Sequence, residues 1–265
     1  MSDYKYSWIP DVPDIRDWIA KEVFKLAAEH PWKLWKWLDV FNWFKPTVAE
    51  VDLRPKMPPV YNQGSLGSCV DNAWAAALSF LENKEGNSFE SFSRLFLYWN
   101  ARTEKSYDTG STIRDSIKGV ANYGVCLETL WPYDINKYPE KPPDAAWAEA
   151  LHRKDGLQYA RLITLDDMKG CLQEGYPFVF GMSVYKPFET LWTLDCTLPM
   201  PKSTDQYMGG HSMCVVGMSE QRQAFLVRNS WGTFWGDAGH CWIPYDYLAS
   251  PFLADDFWTV RKVAK

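Results

Sequence analysis

The chain has no basic surplus. Its 28 Lys and Arg face 33 Asp and Glu over 265 residues, a formal charge of -5. Neutralising a phosphate backbone needs the opposite balance, so a dedicated nucleic-acid binder is set aside and no nucleic-acid partner is expected. There is no CxxC and no HExxH, and His30, His152, His211 and His240 lack the close spacing of zinc ligands. No metal and no other cofactor is therefore expected. Six cysteines are widely scattered, unlike the dense set of a small disulfide scaffold, and read as buried free thiols. Long apolar runs are missing too. The longest near-apolar stretch, Ala73 to Leu81, is too short to span a bilayer, and the opening MSDYKYSWIPDVPD has no signal-peptide core. The localisation expected on that ground is cytoplasmic. What remains, 46% hydrophobic and 23% charged residues, is the composition of a chain that folds.

Aromatic residues are plentiful and unevenly placed. Of 15 tryptophans, six stand in the first 50 residues. Ile19, Val23, Leu26 and Ala27 recur at helical spacing, and Trp32 to Phe44 is apolar nearly all round. Residues 1–50 thus read as a Trp-rich N-terminal segment and 51–265 as the main domain, with Pro46 and RPKMPPVYNQG marking the passage between them. Trp18 to Phe44 admits three readings: helices packed on the body, a surface that docks a membrane or partner protein, or a segment that blocks a cleft. In the main domain CVDNAWAAALSFLENK predicts a helix apolar on two faces, hence a central one. Further helical patterns cover 91–103, 112–123 and 165–174. After Tyr176 the texture changes to short Val- and Phe-rich runs, PFVFGMSVY, HSMCVVGM and QAFLVRNSW, which read as strands. Helices followed by strands predict an α+β fold with a cleft where the halves meet. The excursion from Lys186 to Met208 reads as a lid over that cleft or an ordinary surface loop.

Three residues stand out as chemistry-bearing. Cys69 follows Gly64, Gly67 and Ser68 and opens the apolar helix, so the partial positive charge of the helix terminus favours its thiolate. A cysteine nucleophile needs an imidazole to take and return its proton, and a group to hold that imidazole in one tautomer. His211, after Gly209 and Gly210 and opening a strand, supplies the first; Asn229, at a strand end in VRNSWGTFWGDAG, supplies the second. Asp71, two residues past Cys69, falls about 200 degrees round the helix. Its carboxylate is expected to point away from the thiol and to oppose thiolate formation slightly.

In combination, VYNQGSLGSCVDNAWAAAL, GGHSMCVVGM and VRNSWGTFWGDAGHCWIPYDYL resemble the papain-like cysteine peptidases, in the bacterial-type branch without the usual left-lobe disulfides. The similarity runs from about Val51 to Val260. It implies a two-lobed fold, a helical lobe and a β-barrel-like lobe with the cleft between them, and a peptide or protein substrate. By position, Cys69 is the expected nucleophile, His211 the base and acid, and Asn229 the residue that orients His211. Trp231 is expected to shield that pair, and Gln63 to serve the oxyanion hole. Gly110, Ser111, Gly210 and Trp231 are expected along the substrate, although Ser111 stands where the family has a second glycine. Two alternatives carry weight: a binding or regulatory protein whose cleft is blocked by the N-terminal segment, and a related cysteine acyltransferase.

Overall fold

The computed structural model describes residues 4–12, 14, 17, 48–84, 86, 90–154, 157–191 and 195–262. Residues 18–44, on which the docking and packing readings rest, lie outside this set. Helix α1 (Cys69–Lys84) is the axis of the molecule, and every residue from Cys69 to Leu81 is buried. A helix apolar on two faces can satisfy both only by lying between two layers. One face meets helices α2 (Arg94–Ala101) and α3 (Ile113–Tyr123). The other packs Val70, Ala73, Trp74 and Ala77 against Val179, Cys214, Val216 and Trp258 of the sheet. Ser93 and Thr112, by accepting from the Phe96 and Asp115 amides, fix where α2 and α3 begin. Helix α4 (Asp144–His152) closes the helical lobe over Phe96, Cys126 and Trp131.

The second lobe is an antiparallel sheet. Its strands are β1 (Glu50–Asp52), β2 (Leu157–Arg161), β3 (Phe178–Tyr185), β4 (Tyr207–Ser219), β5 (Ala224–Arg228), β6 (His240–Pro244) and β7 (Ala254–Lys262). They lie in the order β2-β7-β3-β4-β5-β6, with β1 on β4. The short helices α5 (Leu165–Gln173) and α6 (Tyr245–Ala249) pack on the far side of the sheet. The fold is α+β and two-lobed, with an unclosed sheet. His211 was expected to open its strand. It lies inside β4, paired with Met182, because Gly209 and Gly210 continue the ladder opposite Val184 and Ser183. All six cysteines are buried and unbridged. Among the described residues no helix is long and apolar enough to cross a membrane.

Candidate active site

The cleft between the lobes gathers the residues singled out above. Cys69 is the first residue of α1, where the helix terminus carries partial positive charge. Across from it, His211 Nε2 lies 2.8 Å from Asn229 Oδ1. That oxygen also accepts from the Ser230 amide at 2.7 Å. An amide oxygen only accepts, so Nε2 carries the ring proton and Nδ1 keeps its lone pair. Among the described residues Nδ1 has no hydrogen-bond partner. Trp231, fully buried, lies with its ring centroid 5.0 Å from that of His211, over the imidazole–amide pair. Phe188 of the 186–190 turn packs against both rings. At the start of the 186–208 excursion, read as a lid or a surface loop, Phe188 is thus a buried wall behind the imidazole.

Gln63 reaches the cleft from the loop before α1. Its Oε1 accepts from Ser230 Oγ at 2.7 Å, which orients the amide so that Nε2 donates to the Leu66 carbonyl at 3.1 Å and to the Lys5 carbonyl at 3.3 Å. Gly110 stands on the helical wall with φ +77°, and a Cβ there would lie 2.1 Å from the Ser7 carbonyl oxygen, so only glycine fits. Ser111 needs no such freedom. Its hydroxyl turns away from the cleft to Asp71 Oδ2 at 2.9 Å.

Lys5 and Ser7 belong to the N-terminal segment, ahead of the Trp18 to Phe44 stretch read as a possible cleft blocker. Residues 4–11 lie in the cleft. Ser7 Oγ is 3.5 Å from Cys69 Sγ. The Trp8 amide donates to the Gly210 carbonyl at 3.1 Å and the Ile9 amide to the Ser111 carbonyl at 3.2 Å, with Trp8 and Ser111 bridged in parallel. Tyr4 stacks on Trp231, with centroids 4.7 Å apart and planes 5° from parallel. Trp8 lies on a floor that exists because Gly181 and Gly210 have no side chains. A Cβ at Gly181 would come within 2.0 Å of the indole. Lys5 pairs with Asp108 at 2.7 Å. Farther along, the Asp11 amide donates to buried Asp256 Oδ2 at 2.7 Å, while Arg114 and Arg161 share Asp17 and Arg161 also holds Asp255 and Asp256. Sequence reasoning sought a blocking segment at Trp18 to Phe44; the described contacts are made upstream. The signal was the polar–aromatic alternation of YKYSW, which directs Tyr4, Tyr6 and Trp8 to one face and Lys5 and Ser7 to the other.

Beneath this strap of residues 4–11 the thiol and the imidazole are both fully buried. Burial drives the Cys69 thiol pKa up, only partly offset by hydrogen bonds from Ser7 and the Ser212 backbone. Burial also drives His211 down from 6.5 to about 4, opposed by Asn229. Both shifts favour the neutral thiol–imidazole pair over the ion pair. As expected, Asp71 points away from the thiol, to Ser111 and Ser116, and its charge is a minor contributor to the rise at Cys69.

A buried cysteine at a helix start, an imidazole held by an asparagine and a glutamine amide facing the cleft are, on this two-lobed fold, the parts of a thiol peptidase. The model of the papain family cysteine proteases matches residues 47–249, and the chain belongs to that family. It is similar to xylellain, a cysteine protease from Xylella fastidiosa, with 35% identity, a TM-score of 0.83 and coverage of 99% of this chain and 98% of that one. It is 38% identical to an uncharacterised peptidase C1-like protein of Acanthamoeba polyphaga mimivirus, over 97% of this chain and 87% of the relative. The digestive procathepsin L 3 of Tenebrio molitor larval midgut shares the fold, with a TM-score of 0.60, 18% identity and coverage of 84% of this chain and 72% of that one. The chain is a cysteine peptidase, a hydrolase acting on peptides or proteins.

Proposed function

We propose that this peptidase is held latent by its own residues 4–11, and that Cys69, His211, Asn229 and Gln63 carry the reaction once that strap is displaced. The observation that supports latency is the atom set against the nucleophile. The Ser7 hydroxyl, not a carbonyl carbon, meets the Cys69 thiol, while the Ser7 carbonyl turns toward Gly110. The strap thus fills the cleft without offering a scissile bond to the thiol.

With the strap displaced, water reaches the cleft and the desolvation that favoured the neutral pair falls away. Cys69 passes its proton to His211, and the thiolate attacks the substrate carbonyl carbon. Negative charge then develops on the carbonyl oxygen, where Gln63 Nε2 and the Cys69 amide donate hydrogen bonds that strengthen in the transition state. His211 returns the proton to the departing amine as the C–N bond breaks, leaving an acyl thioester. Water, deprotonated by His211, cleaves it. Asn229 holds the imidazole throughout, and Trp231 keeps water from that hydrogen bond. Cys69→Ala removes one sulfur atom from a helix end and should abolish peptide hydrolysis with the fold unchanged. Hydrolysis by Cys69→Ala combined with Trp8→Ala, which loosens the strap, at the rate of Trp8→Ala alone would refute the assignment of the nucleophile.

A further inference from the structure

Asp71 and Ser111 are the two oddities of this cleft that the reaction above does not use, and they touch. Asp71 is completely buried two residues beyond Cys69 on α1, and it makes no ion pair among the described residues. One of its oxygens accepts from Ser111 Oγ at 2.9 Å, on the cleft wall; the other accepts from Ser116 Oγ at 2.8 Å, in the first turns of α3. Ser111 is itself buried, and its carbonyl receives the Ile9 amide, so it is the rail on which a chain lying in the cleft hydrogen-bonds. Gly110, just before it, has a positive φ and no room for a side chain. The wall therefore admits only glycine at one residue and is tethered at the next.

We infer that Asp71 is a positioning residue, which ties the Ser111 rail to the helix that carries Cys69 and so keeps a bound peptide in register with the nucleophile. This rests on the reading of Cys69 as nucleophile and on a substrate using the rail that Ile9 uses. A buried carboxylate whose two oxygens are met by Ser111 on the wall and Ser116 in the first turn of α3 fixes the distance between that wall and α1. The serine in place of a glycine and the acid two residues after the cysteine form one device. Burial pushes Asp71 up from 3.8 to about 7, so it is retained there against a substantial desolvation penalty.

The test is a double-mutant cycle in the full chain carrying Trp8→Ala to loosen the strap, with Asp71→Ala, Ser111→Gly and both. Removing the carboxylate orphans the buried Ser111 and Ser116 hydroxyls and frees the rail, so Asp71→Ala should raise KM about tenfold while kcat changes less than about twofold. Ser111→Gly already cuts the rail from Asp71, so adding Asp71→Ala should leave KM where Ser111→Gly puts it, although Ser116 loses its partner as well. A readout independent of turnover is hydrogen exchange of the Ile9 amide in the chain with Trp8 intact, which should quicken about tenfold in Asp71→Ala. Should that variant not fold, Asp71→Asn, which can still bond both serines, should leave Ile9 exchange within about twofold, and Ser111→Ala should speed it. Additive effects, a loss confined to kcat or an unchanged Ile9 would each overturn the inference. Ile9 responding as stated with no variant hydrolysing peptide would uphold the tether and refute the peptidase roles. Hydrolysis with additive effects would do the reverse.

Discussion

Replacing Trp8 by alanine in the full chain should open the cleft by an amount that the structure sets. The indole lies half-buried on the Gly181–Gly210 floor. Truncating a fully buried tryptophan costs about 4 kcal/mol, so half of that, about 2 kcal/mol, is the expected loss of packing. Against it stands the indole N–H, which is buried and has no hydrogen-bond partner among the described residues. Its removal returns about 1 kcal/mol. The net weakening of strap docking, about 1 kcal/mol, corresponds to about a fivefold rise in the open population. Trp8→Phe keeps a ring on the floor and discards the unpaired donor, so it should leave docking unchanged or slightly tighter. The assay is the second-order rate of Cys69 alkylation by iodoacetamide at fixed pH, which is proportional to the open fraction when opening is fast. An alanine variant that alkylates at the parent rate, or a phenylalanine variant as reactive as alanine, would refute this account of the strap.

Other consequences concern pH and the oxyanion hole. Burial and neighbouring Asp11 push Asp256 up from 3.8 to about 7, and burial raises Asp11 as well. Groups raised in the docked state stabilise it fully below the ordinary carboxylate range, and that contribution is lost as pH rises through about 7. Docking, measured as protection of Cys69 relative to a Trp8→Ala control, should therefore weaken between about pH 4 and 7, with Asp17, Asp255, Arg114 and Arg161 around the pair. Asp256→Asn should flatten that dependence, and an unchanged slope would count against it. Loosening the strap also rehydrates the catalytic pair, so Trp8→Ala should move the alkylation pH profile of Cys69 to lower pH, and an identical midpoint would contradict the desolvation argument. Gln63→Ala should lower kcat about a hundredfold with KM little changed, and Ser230→Ala, which frees the Gln63 amide to turn, by a smaller factor in the same direction; equal losses in KM instead would point to ground-state binding.

Much of the placement of the candidate site was legible because it is local. A glycine-rich turn before an apolar helix places Cys69, a Gly-Gly-His run places His211, and NSWG places Asn229 with Trp231 beside it. The central position of α1 followed from its two apolar faces, and the reading of the cysteines as buried thiols from their scatter. Harder to read were elements whose pattern is set by both neighbours at once. Strand β7 is buried along Asp256 to Arg261, so its polar residues obscure the alternation, and Asp256 and Arg261 have partners far away in sequence, among them Asp11, Arg161 and Glu174. Helix α4 was not among the helices read from the sequence, and its place over Phe96 depends on contacts far away in sequence. The strap was missed because aromatic density drew attention to residues 18–44, whereas fit to the cleft depends on glycines at 110, 181 and 210 that meet residues 7 and 8 only in three dimensions.

The most direct test is an intact-mass spectrum of three full-length proteins, the parent, Trp8→Ala and Cys69→Ala, after the same brief incubation with an epoxysuccinyl peptide probe. A single adduct that forms slowly on the parent, quickly on Trp8→Ala and not at all on Cys69→Ala is the expected result. Equal and rapid labelling of parent and Trp8→Ala would contradict latency by the strap, and no adduct on Trp8→Ala would contradict an activated Cys69 beneath it.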